Sequence, residues 1–240
     1  MFFKRFAILS LPVAALIIIS VFMSRPIAAS APDRVTVVID AGHGGVDGGV
    51  TGVATGVKES EVNLAFALEL EKSFAAAGFN VVLTRRTSAG LYGALSSGFK
   101  LRDLKERVRV AKESGADVFV SVHMNRYSDG SRRGAQVFYD ADSPEGKLLA
   151  RSVQAALNLM PESARECEAL VGDYYVLNEA PCPAVICECG FLSNAEDEKL
   201  LLDPAYREKL CQAIVSGTVG YLVENAPDAY RSTLAKSLDG

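Results

Sequence analysis

Residues 37–50 read "VVIDAGHGGVDGGV", an apolar run that ends in Asp40 and opens onto five glycines and one of the chain's two histidines. A β-branched run closed by glycine is the pattern of a buried strand feeding a loop. Working outward, "RVTVVID" (34–40) is therefore a strand. "ESEVNLAFALELEKSFAAAG" (59–78) is a helix, with Val62, Phe66 and Phe74 on its apolar face and Gly78 as its stop. "NVVLTR" (80–85) is a second strand, and "LRDLKERVRVAKESG" (101–115) a second helix that buries Leu101, Leu104, Val108 and Ala111. "DVFVSVH" (117–123) is nearly all apolar and so covered on both faces. "AQVFYD" (135–140), a helix over 143–160, the apolar strand "AVICECG" (184–190) and helices around Pro204 complete the run. Strands alternating with helices predict an α/β fold: a single domain with a twisted, mostly parallel sheet flanked by helices.

In such sheets ligands sit beyond the carboxyl ends of the strands. Three of the predicted strands deliver chemistry there: His43, His123 and Glu188. When both histidines of a chain fall at strand ends, a metal site is favoured over two unrelated structural imidazoles. Two imidazoles are too few for a hydrolytic zinc, which takes three protein ligands and leaves a fourth position for water. The third ligand would be a carboxylate, and Asp40, Asp47, Glu59 and Glu61 are the candidates near His43. Glu59 ranks first because it opens the helix and can face the strand ends. Glu61 points about 200° away around the helix axis. Asp40 is better suited to orient a histidine or a loop amide from behind, and Asp47 to shape the turn. None of these is excluded by the residues alone.

The chain's 240 residues suffice for one core, and a net charge of −4 argues against a nucleic-acid partner. The N-terminus has a basic start, Lys4 and Arg5, then eighteen uncharged residues from Phe6 to Met23 and the small-residue stretch "IAASA". Residues 1–30 thus read as a signal peptide or membrane anchor, which places the rest outside the cytoplasm. Five cysteines cannot all pair within one chain; they read as small buried side chains with at most one disulfide.

"VIDAGHGGVDGG", "VKESEVNLAFALELEKSFAAAGFNVVLTR", "LKERVRVAKESGADVFVSVHMN" and "PAVICECGFLSN" occur in that order between about Val35 and Glu224. Together they resemble the zinc-dependent N-acetylmuramoyl-L-alanine amidases of type 3. The resemblance implies that His43, Glu59 and His123 bind Zn2+ and that Glu188 is the catalytic carboxylate. It implies hydrolysis of the amide between N-acetylmuramic acid and L-alanine in peptidoglycan. The segment "ECGFLSN" is most similar to the branch that acts on spore cortex in germination, which implies a lipoprotein partner and a muramic-acid deacetylase in the same pathway. Residues 31–225 would be the catalytic domain and 226–240 a tail. The glycines around His43 would let it reach the metal and leave room for a bulky sugar–peptide strand.

Around this set, Asn125 would hydrogen-bond substrate or brace its loop, and Ser193 and Asn194 read as a helix cap. Arg85 and Arg107 read as solvated surface or as supports behind the site, with stem-peptide carboxylates as the alternative. Asn178 stands where the family often carries arginine. A zinc peptidase cutting within the stem peptide would need the same four residues. A non-catalytic peptidoglycan-binding protein would not need to keep all of them.

Overall fold

The computed structural model describes residues 34–225; the leader assigned to 1–30 and the tail assigned to 226–240 lie outside the described residues. Six strands form one sheet: β1 (Thr36–Ala41), β2 (Asn80–Leu83), β3 (Val118–Asn125), β4 (Gln136–Tyr139), β5 (Leu170–Val171) and β6 (Ala184–Phe191). Their order is β2-β1-β3-β6-β4-β5, and every neighbouring pair is parallel except the antiparallel β4–β6. The helices are α1 (Glu59–Ala76), α2 (Phe99–Glu113), α3 (Pro144–Asn158), α4 (Tyr175–Asn178), α5 (Ala195–Leu202) and α6 (Pro204–Asn225).

Successive strand residues face opposite sides, and the two sides are unequal here. Val37, Ile39, Val120, Val122, Val185 and Cys187 point into the larger core, built with α1, α3 and α6. Val38, Phe119, Ala184 and Ile186 point into a smaller cluster with Ala111 of α2 and Val176 and Leu177 of α4. Toward the strand ends this second face turns polar. Val38 is followed two residues on by Asp40, Phe119 by Ser121 and His123, and Ile186 by Glu188. The parallel register sets Asp40 beside Ser121 and His123 beside Glu188. Three apolar strands thus bring their chemistry to one edge of one face.

The helices begin and end within about two residues of the sequence reading. The buried face of α2 differs: Leu101 is 47% exposed, whereas Arg107 is 2% exposed. α2 turns Arg107 toward Asp40 and the His43 carbonyl and leaves Leu101 largely in solvent. All five cysteines are free, so the allowance for a disulfide is not used. Cys187, Cys189 and Cys211 are buried, as small apolar side chains would be. β5 and α4, of two and four residues, carried no periodic signal and were not anticipated.

α6 crosses α3 at Gly217, where an added Cβ would lie 2.5 Å from the Val153 Cα and 2.8 Å from the Ser152 carbonyl oxygen. Helix propensity favours alanine over glycine by about 1 kcal/mol, but overpacking against rigid backbone costs about 1–3 kcal/mol. Packing therefore decides the sign. Gly217→Ala is expected to lower the urea midpoint, corresponding to a net loss of up to about 2 kcal/mol; a midpoint raised by the equivalent of about 1 kcal/mol would show that the helices can part at no cost.

Candidate metal centre

α1 starts without a side-chain cap on Lys58. Its first amides are met instead by the preceding loop, Glu59 N–H donating to the Val50 carbonyl (2.8 Å) and Ser60 N–H to that of Gly48 (3.1 Å). The loop therefore sets the position of Glu59. Its Oε2 accepts from the Val50 amide at 2.8 Å, and its Oε1 accepts from the Met124 amide at 3.2 Å. The same Oε1 lies 2.9 Å from His123 Nδ1 and 3.2 Å from His43 Nε2. One ligand atom from each of His43, Glu59 and His123 falls within 4.8 Å of the others, an arrangement that could hold a metal ion. The sequence brought forward four carboxylates as possible third members of this group. Glu59 is the one beside both histidines.

The rings meet edge to face, with centroids 4.9 Å apart. His43 has φ +60°, the sole positive φ on a non-glycine residue among the described residues. The left-handed region costs an ordinary side chain roughly 1–2 kcal/mol. The adjoining glycines are needed because the ligand side chains lie against the backbone. A Cβ on Gly42 would come 2.2 Å from His123 Cε1 and Nε2, and one on Gly49 2.3 Å from Glu59 Oε2. At these two positions the space freed by glycine is filled by the site's own side chains rather than left for substrate.

Electrostatics separates the groups. Burial opposes the charged form of Glu59, but hydrogen bonds from His123 and His43 outweigh it and hold the carboxyl well below its usual range. Burial also opposes the charge on His43, yet Glu59 and Asp47 raise it to about 9. Asp47, read from sequence as a turn residue, takes His43 Nδ1 at 3.0 Å and so orients the ring, leaving Nε2 toward Glu59. Burial pushes Glu188 up to about 7, with His123 pulling against it and Glu59 adding to it. Its Oε2 is buried without a hydrogen-bond partner. A buried carboxylate oxygen left unpaired is costly and calls for a reason.

Behind the site, Asp40 is 1% exposed. It accepts from Ser121 Oγ (2.7 Å), Thr84 Oγ1 (2.7 Å) and Arg107 Nη1 (2.6 Å), and so reaches the site through Arg107 rather than through a histidine or an amide. Arg107 opposes its burial and holds Asp40 below the usual carboxylate range, aided by the two hydroxyls. Arg85 and Arg107 are both buried, and the reading of them as solvated surface does not hold. Asn63, one turn after Glu59, donates to the Gly42 carbonyl (3.1 Å) and to Glu59 Oε1 (3.3 Å). The four-residue spacing on a helix could have revealed it. Asn125 Oδ1 accepts from the Arg126 amide at 2.7 Å, which braces its own loop. Ser193 Oγ accepts from the Tyr127 amide, and Asn194 caps α5. Asn178 is engaged with Asp173 at 2.8 Å. A cavity of about 220 Å³ adjoins the histidines, with Tyr92, Phe99, Leu104 and Val176 among its lining.

The family profile described as N-acetylmuramoyl-L-alanine amidase matches residues 37–219. The chain belongs to that family. Its activity is therefore that of an N-acetylmuramoyl-L-alanine amidase acting on peptidoglycan. The amidase is similar to the germination-specific N-acetylmuramoyl-L-alanine amidase of Bacillus subtilis, 29% identical over 191 residues that cover 78% of this chain and 80% of the relative. It is 34% identical to LytC of the same organism over 190 residues, 78% of this chain but 35% of LytC. Among solved structures it resembles the CwlD amidase of Clostridioides difficile in complex with the GerS lipoprotein. That match has a TM-score of 0.75 and 34% identity, covering 79% of this chain and 99% of CwlD.

Breaking a buried ion pair from one side costs about 3–5 kcal/mol. Asp40→Ala in the amidase is expected to lose about 3 kcal/mol or more of unfolding free energy, and Asp40→Asn, which keeps an acceptor, clearly less. Equal losses for the two in urea titrations would mean that Asp40 contributes shape rather than charge.

Proposed function

We propose that the amidase binds zinc through His43, Glu59 and His123, and that Glu188 is its general base and acid. Two imidazole nitrogens and one carboxylate oxygen form the donor set of a hydrolytic zinc, with a fourth position free. The Asp47–His43 contact is the outer carboxylate that such a histidine ligand usually carries. Bound there, zinc would lower the pKa of water toward about 7 and polarise the lactyl carbonyl.

The remaining chemistry falls to the chain's own groups. Glu188 takes the proton from the attacking water and delivers it to the L-alanine nitrogen as the amide bond breaks. Its pKa of about 7 suits both halves of that transfer. Asp47 keeps the His43 ring turned, and Asn63 keeps the Glu59 carboxylate turned. The single observation that carries this reading is the unpaired, buried Oε2 of Glu188 beside a ready-gathered His–Glu–His group.

The substrate under this reading is spore-cortex peptidoglycan, supported by the likeness to the germination-specific relative. Residues 31–225 form the catalytic domain, 1–30 export or anchor it, and 226–240 are a tail. Its setting is extracytoplasmic, in the forespore intermembrane space. The complex of CwlD with a lipoprotein supports a lipoprotein partner here. A muramic-acid deacetylase would then act on the strands this enzyme has stripped of peptide.

Three measurements test the reading. Glu188→Gln should keep one zinc per chain and lose at least about 100-fold in kcat on defined muropeptides; wild-type turnover would remove Glu188 from the reaction. The wild-type products should carry a free N-terminal L-alanine, and a cut inside the stem peptide would make the enzyme a peptidase. Because Glu188 must be ionised to accept a proton, kcat/KM should fall as pH drops through a pKa of about 7 or below, a nearby cation shifting it downward. An acid limb that persists unchanged in Glu188→Asp and moves with neither metal nor residue would belong to another group.

A further inference from the structure

Three consecutive carbonyls lead into His43, and two buried guanidinium groups hold all of them. Arg85 Nε donates to the Ala41 carbonyl at 2.9 Å and its Nη2 to that of Gly42 at 2.9 Å. Arg107 Nη1 donates to the Ala41 carbonyl at 2.7 Å and its Nη2 to that of His43 at 2.6 Å. Arg85 Nη2 also donates to the Ser60 carbonyl at 2.8 Å. One nitrogen therefore ties the loop that carries His43 to the helix turn that carries Glu59.

We infer that Arg85 and Arg107 are positioning residues, which fix the backbone from Ala41 to His43 so that the His43 and Glu59 side chains meet before any metal arrives. Three observations carry this beyond ordinary packing. His43 sits in a left-handed conformation that an unrestrained loop would leave. A guanidinium presents several donors in a rigid plane, which an ammonium cannot imitate. And all four hydrogen bonds of Arg85 go to carbonyl oxygens, of Ala41, Gly42, Ser60 and Thr87, with no carboxylate among them. Two cations buried together repel, and the carboxylates of Asp40 and Asp103 offset this. Burial and the like charge of Arg107 pull Arg85 down to about 10, which still leaves it charged at neutral pH.

The inference rests on the zinc reading above, and the two can fail separately. Arg85→Met is the cleaner variant, because it strands carbonyls and not a buried acid. Arg107→Lys keeps the charge opposite Asp40 and Asp103 but lacks the planar fork. Metal affinity would be measured on the purified apoprotein by competition with a chromophoric chelator, and site geometry from the visible spectrum of the cobalt-substituted protein. Far-UV circular dichroism would confirm that each variant is folded. Loss of a group that orients a metal ligand typically weakens binding about 10–100-fold. We expect a loss of that size for Arg85→Met, an altered cobalt spectrum, and partial rescue in Arg85→Lys. Folded Arg85→Met and Arg107→Lys proteins that bind zinc within about twofold of wild type, with the wild-type cobalt spectrum, would overturn the inference and leave the zinc reading standing. Wild-type zinc affinity in His43→Ala would overturn both.

Discussion

The buried pair of Asp40 and Arg107 is the constraint on which the site depends. Desolvating two opposite charges costs several kcal/mol per ion, and their attraction offsets this only when the other hydrogen-bonding positions are filled. Here they are. Asp40 also accepts from the hydroxyls of Thr84, just past the end of β2, and Ser121 of β3, and Arg107 also donates to Asp103 and to the Ala41 and His43 carbonyls. The pair thus joins three strands to α2 at the level where the core stops and the chemistry begins. An apolar pair of equal volume would pack there, but it could not donate to the Ala41 and His43 carbonyls.

The two faces of the sheet divide the work. The larger cluster, with Phe66, Phe74 and the apolar sides of α3 and α6, supplies burial, roughly 1.5–3 kcal/mol for each large side chain fully covered. The smaller cluster ends early, and this leaves that face to the polar side chains of Asp40, His123 and Glu188 at the strand ends. Strand parity then does the positioning at no further cost. Once Val38, Phe119 and Ile186 are committed to that face, residues two and four positions on must share it.

Much of this was legible in the chain because it follows from period and strand-end position. The alternation of strands and helices, the parallel sheet and the gathering of His43, His123 and Glu188 all come from runs of β-branched residues that stop at polar ones. Glu59 was ranked first because a helix start is a fixed place. The hidden parts depend on contacts between distant segments. Arg85 and Arg107 read as surface or as supports behind the site, and the second reading holds; nothing local to "NVVLTR" or "LKERVRV" decides between them, because the carbonyls that need donors lie far upstream. Asp47 looked like turn chemistry because its partner, His43, lies across the same glycine loop, where periodicity gives no directions. Leu101 differs in the opposite direction: its helical phase is that of an apolar face, but it is 47% exposed.

Two carboxylates in one site need different characters, and their surroundings assign them. Glu59 faces two imidazoles and the amides of Val50 and Met124, so its charge is favoured and it stays an anion across the physiological range. Glu188 is buried, with an oxygen that has no partner and the negative charge of Glu59 nearby, and these outweigh the pull of His123, so its proton is held until about neutral pH. Environments that push two acids apart in this way separate a permanent anion from a group that exchanges protons. Swapping the roles would fail on both counts. Glu188, short of donors, would be a poor permanent anion, and Glu59, locked by its hydrogen bonds, would be too weak a base to draw a proton from water.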